Sequence, residues 1–135
     1  MANNPQMSTT TVNAEANAVA PLLNSGYLRV YDGTQPANAN TAITLQNLLA
    51  ELRFGATAAP GASGGVLTFN PITSTLDAAA TGNATWFRCL ESDGSTVVFD
   101  GSVGTSGCDL NLNTVAIQQH AEVDVSSFTF TAKAS

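Results

Sequence analysis

Five consecutive residues, Gly61-Ala62-Ser63-Gly64-Gly65, spell GxSxG, the spacing that in hydrolases lifts a serine onto a strained strand-to-helix turn for nucleophilic attack. Aspartates and His120 even follow Ser63 in the chain order such enzymes use. The flanks do not supply the supports of that turn. A Pro/Ala loop precedes the motif, and Val66–Phe69 reads as a strand after it, so Ser63 is expected to be a loop serine. Asp109-Leu110-Asn111-Leu112-Asn113 opens like a calcium loop, with oxygen ligands at alternate positions. Thr114 then stands where the loop needs glycine, and His120 stands where a glutamate should close the site. Alternation with leucine predicts a strand instead, with Asn111 on its surface side.

The remaining reactive residues read the same way. His120 is the only histidine, so no pair exists for a zinc site, and Gln118–Ala121 looks like a turn entering the last strand. Cys89 and Cys108 form no CxxC motif and are expected to be reduced thiols, with a disulfide depending on geometry alone. Asn83-Ala84-Thr85 fits the glycosylation pattern, but no secretion signal accompanies it. Asp32, Asp93 and Asp100 each precede glycine, where aspartate serves turns by bonding its own backbone. No catalytic residue, no metal site and no cofactor is expected, and the protein is read as non-enzymatic.

Composition narrows the partners. Only 10% of the 135 residues are charged, against roughly 25% in an average domain, and the net charge is −6. The cations are Arg29, Arg53, Arg88 and Lys133, too few for a phosphate-binding patch, so direct nucleic-acid binding is not expected. No run of about 18 apolar residues offers a membrane span, and no signal-like start is evident, which points to a cytoplasmic product. A surface this neutral gives little electrostatic protection against association and suits an assembly component.

The chain length suits one domain, organised as an N-terminal arm over residues 1–26 and a β domain over residues 27–135. The arm is read as extended or carrying one short helix, with Pro21 breaking anything longer and Val19, Leu22 and Leu23 as its apolar cluster. It is either a loose tail or a segment that orders on a partner. Strands are expected at Tyr27–Tyr31, Leu48–Phe54, Val66–Asn70, Ala84–Leu90, Thr96–Asp100, Asp109–Asn113 and Glu122–Thr131. Helix competes in the second of these, because Leu45, Leu48, Leu49 and Leu52 also fit helical spacing. Asp93-Gly94 should make a two-residue hairpin turn and Asp100-Gly101 another turn. These elements describe a mostly β protein, an antiparallel β-sandwich or jelly roll, with Val30, Trp86, Phe87, Val98 and Phe99 as core candidates.

Three stretches carry a resemblance: Tyr27–Pro36 (YLRVYDGTQP), Ala84–Arg88 (ATWFR) and Phe99–Gly104 (FDGSVG), with a closing SSFTFT. From Tyr27 to Thr131 the chain resembles small virion proteins of tailed bacteriophages, similar to head decoration or cement proteins. The resemblance implies a β-sandwich on the outer capsid surface of the virion, assembled in the bacterial cytoplasm and bridging subunits of the major capsid protein. It also implies a homo-oligomer, a trimer before a dimer. No family residue role transfers, and the arm departs from relatives with a longer helical start. Candidate partner-binding residues are Val19, Leu22 and Leu23 in the arm and Tyr27 and Tyr31 in the first strand. Two alternatives are a neck, tail or fibre protein and a carbohydrate-binding adhesion module. The module would stack sugars on Trp86, Tyr27 and Tyr31, although Trp86 sits in an apolar strand and reads as core.

Overall fold

The Ser8 hydroxyl accepts the Thr11 N–H at 3.2 Å and so satisfies one of the free donors at the start of helix α1 (Thr9–Val19). Pro21 falls in the first turn of the following 3-10 segment, Ala20–Leu23, where its missing N–H costs nothing, and the α-helix stops before it. The computed structural model describes residues 6–75 and 77–132. After the helix come ten strands: β1 (Tyr27–Tyr31), β2 (Leu48–Arg53), β3 (Ala62–Ser63), β4 (Val66–Thr68), β5 (Gly82–Asn83), β6 (Trp86–Leu90), β7 (Val97–Gly104), β8 (Leu110–Leu112), β9 (Ala116–Ile117) and β10 (Val125–Thr131).

The protein is mostly β, as alternation predicted. Eight strands form one sheet in the order β2-β1-β6-β7-β8-β10-β4-β3, and β5 pairs with β9 apart from it. The sheet is mixed: β7 and β8 run parallel, a departure from the purely antiparallel arrangement expected, and the other pairings are antiparallel. The sheet curls until its two halves share one core. Phe87 from β6 meets Phe128 from β10 edge-on at 5.1 Å, and Phe54, just beyond β2, reaches Phe69 at 5.5 Å and Phe128 at 6.0 Å. Residues from both halves of this one sheet thus share a single core.

Strand wins over helix at Leu48–Arg53 because β1 alternates in step with it. Leu28 lies opposite Leu52 and Val30 opposite Ala50, so one face of both strands enters the core together. Val30, Trp86 and Phe87 are fully buried, while Val98 and Phe99 pack against the core from partly exposed positions.

The N-terminal arm does not stand apart from this core. Val12, Ala16, Ala20 and Leu23 are buried within it. Asn13 and Asn17, one helical turn apart, accept the Gly65 and Ala62 N–H groups at 2.7 Å each and so tie α1 to the β3–β4 hairpin. Residue 65 must be glycine on two counts: its φ is +77°, and a Cβ would lie 2.5 Å from Val12 Cγ1.

Two turn expectations are corrected. Asp100-Gly101 is not a turn, because β7 runs straight through it to Gly104. The glycine is there because the Phe87 ring occupies the space of a side chain, 2.5 Å from where a Cβ would sit. Asp93-Gly94 lies in a wider loop that closes with Glu91 N–H donating to Thr96 C=O, and only Gly94 has positive φ. Asp93 does serve the loop as expected of an aspartate before glycine, its carboxylate accepting Ser95 N–H, Thr96 N–H and the Thr96 hydroxyl. Sequence reading also missed β3, β5 and β9, two-residue strands too short to show a period.

Gly101→Ala should destabilise the protein by about 1–3 kcal/mol in urea unfolding, because the Phe87 ring has to leave its rotamer. The bonds from Thr96 and Ser95 lower the Asp93 pKa to about 2. A depressed folded-state value stabilises the fold above the unfolded-state pKa and loses that contribution as pH falls through the folded one. An acid titration of wild type against Asp93→Asn should therefore diverge above about pH 4 and converge as pH falls through about 2.

Candidate functional site

On the face of the sheet turned away from the shared core, β2, β1, β6 and β7 align their polar residues in rows. Directly opposed residues of antiparallel strands point the same way, so Glu51, Arg29, Arg88 and Asp100 form one row across four strands. Arg29 and Arg88 are like charges set opposite each other, an arrangement that repels unless each has its own counter-ion. Each does. Arg29 Nε donates to Glu51 at 2.7 Å near solvent, and Arg88 grips Asp100 through two bonds of 2.8 and 2.9 Å with both side chains about 95% buried. The hydrogen bond to Asp100 raises the Arg88 pKa above its ordinary value against the opposing effect of burial.

The flanking rows are aromatic. Tyr31 stacks on Trp86 at 4.7 Å, and the Trp86 indole N–H donates to the Asp32 carbonyl at 3.0 Å. Tyr27 lies under the Arg53 guanidinium, 4.1 Å from the ring centre, and Arg53 also donates to the Ser25 carbonyl. Arg29, Arg53 and Arg88, the cations among the described residues, thus gather on this face.

The candidate partner-binding residues divide by accessibility. Leu23 is fully buried and Tyr31 is 6% exposed, so both are spent on packing and present no contact surface. Leu23 is drawn in because the 3-10 turn rotates it inward while its neighbour Leu22 points outward at 45% exposure. Val19 and Tyr27 are half-buried. For a sugar platform the rings are poorly placed: Trp86 is fully buried, Tyr31 is stacked against it, and Tyr27 is covered by Arg53. Leu45, on the loop before β2, is 91% exposed and was not picked out from the sequence. Its outward position depends on the path of that loop, to which helical spacing gives no clue.

The sequence motifs for chemistry find structural roles. Ser63 and Val66 close a hairpin whose turn is Gly64-Gly65, both with positive φ, so GxSxG here is a strand-turn-strand unit. His120 pairs with Asp77 at 2.5 Å on the surface. Asp109 accepts from the Ser102 N–H and lies within hydrogen-bonding distance of its hydroxyl, while Leu110 and Leu112 are buried and Asn111 bonds Ser127. No cluster of three metal-ligating side chains exists among the described residues. The two cysteines are unpaired, and burial pushes the Cys89 thiol well above its usual pKa, away from thiolate reactivity. A cleft of about 280 Å³ between Thr68–Ile72 and Val125–Thr129 is lined by Phe69, Ile72, Phe128, hydroxyls and an amide, with no titratable side chain.

No family model, no curated protein and no solved structure matches this chain.

Asp100→Asn should cost about 3–5 kcal/mol in urea unfolding, since it leaves a buried guanidinium without its counter-charge. Glu51→Gln, which breaks the solvent-side pair in the same row, should cost less than about 1 kcal/mol.

Proposed function

We propose that this chain is a non-enzymatic virion structural protein of a tailed bacteriophage, a decoration or cement protein. It binds the outer surface of the head and bridges subunits of the major capsid protein. The observation that carries this reading is spatial. The three stretches behind the resemblance, far apart in sequence, fall on β1, β6 and β7, which are adjacent strands of one sheet. They belong to a single packed unit rather than to scattered turns.

The surface supports the same reading. Arg29, Glu51, Arg88 and Asp100 neutralise one another and His120 meets Asp77, so the exterior carries acidic side chains such as Glu15, Asp93, Glu122 and Asp124 among hydroxyls, amides and small residues, with Leu22 and Leu45 projecting from it. Such a surface docks through shape, apolar contact and its negative charge. Cementing a shell asks for no more than that, because many copies arranged by capsid symmetry let modest contacts act together.

The test is co-sedimentation of the purified protein with undecorated mature capsids. Saturation at about one copy or one trimer per capsid symmetry site is expected, in line with multivalent display. Removing residues 1–26 would strip Val12, Ala16 and Leu23 from the core, so the arm is better probed at its solvent-facing leucine. Leu22→Ser should keep the fold and weaken capsid binding about tenfold, the scale of one buried leucine. Absence of binding to any capsid form would overturn the reading in favour of a neck, tail or fibre position.

A further inference from the structure

Strand β8 is shorter than both of its neighbours. It pairs with only Val103 and Gly104 of β7 on one side and with Val125–Phe128 of β10 on the other. Val97–Ser102 of β7 and Thr129–Thr131 of β10 therefore flank a strand position that no strand of the described residues fills. A cleft of about 190 Å³ lies there, lined by Phe99, Asp100, Asp109, Thr129, Phe130 and Thr131.

Strand alternation fixes which main-chain groups face this cleft. On β7, Val103 N–H bonds Thr85 on the β6 side while Ser102 N–H reaches Asp109 on the other, so the Asp100 peptide groups point into the cleft. On β10, Ala132 N–H bonds Gly65 beside β4 while Thr129 N–H bonds the Asp109 carbonyl, so the Thr131 peptide groups point in as well. Phe99 and Phe130, with ring centres 5.0 Å apart, form the floor. Asp109 closes one end, its carbonyl bonded to β10 and its carboxylate to β7.

We propose that this slot receives an extended segment of the protein on which the chain docks, which completes the sheet between β7 and β10. The inference rests on the capsid reading for the identity of that partner. Two features define the segment. It must have both backbone edges free, because β7 and β10 each take one, and this rules out a strand already paired on one side, including the β7 of a second copy. It must also carry Lys or Arg towards the closed end, because the Asp109 carboxylate pairs with no cation among the described residues. Main-chain bonds supply affinity, and a small apolar side chain facing the two phenylalanines supplies register.

Amide hydrogen exchange of the full chain, free and bound to undecorated capsids, tests this directly. Slowed exchange at Asp100 and Thr131 in the bound state is expected. Thr131→Pro removes the cleft-facing N–H but leaves the β4 side intact, and it should weaken binding about tenfold, whereas Thr131→Val should bind like wild type. Asp109→Asn should weaken binding several-fold and reduce its salt sensitivity. Binding with unchanged exchange at Asp100 and Thr131 would overturn the slot while leaving the capsid reading standing. No binding at all would overturn both.

Discussion

Strand β6 is the member on which the rest of the structure leans. All five of its residues are buried, which means that both of its faces are covered and that neither tolerates a free charge. On the core side, Phe87 fits over Gly101 of β7 and meets Phe128 from the far half of the sheet, so the curl of the sheet is registered through one ring. On the opposite side, Arg88 can be buried only because Asp100 of the same neighbouring strand meets it with two bonds. Both contacts fix the pairing of β6 with β7. A slip by one residue would place the arginine against the phenylalanine core and the ring in the charged row.

Helix α1 solves a different problem, the exposed end of the sheet. β3 is the terminal strand, two residues long, and open edges of this kind invite pairing with other chains. The helix packs over this hairpin, with Asn13 and Asn17 accepting two of its main-chain N–H groups. At the other terminal strand, β2, the Leu49 carbonyl takes Ala79 N–H and Thr73 bridges to Arg53, so that edge is also partly occupied. The gap beside β8 lies inside the sheet, which is why neither device reaches it.

How much of this was legible depended on the range of the forces involved. Alternation located β1, β2, β6 and β10 because each buries one or both faces along its own length, and it placed Val30, Trp86 and Phe87 in the core. It misjudged Asp100-Gly101, since a glycine chosen to admit a distant ring looks the same in sequence as one chosen for a turn. The fate of the arm was hidden for a similar reason. Val12 and Ala16 acquire a partner only when residues fifty positions away form a hairpin, and no local pattern announces that. Among the candidate contact residues, Leu22 and Leu23 are indistinguishable by type, and only the phase of the 3-10 turn separates the exposed one from the buried one.

The docking of α1 has a consequence for how the chain is made. The helix is synthesised before every described strand, yet its apolar face is covered by Gly65 and its hairpin, and that hairpin is in turn held by Thr129–Ala132, which follow much later in the sequence. An eleven-residue helix has little stability by itself in water. An element made earlier is therefore completed by one made much later, so this core cannot close in the order of synthesis. Closure waits until α1 and β10 are both available, and the helix carries its apolar stripe unprotected until then.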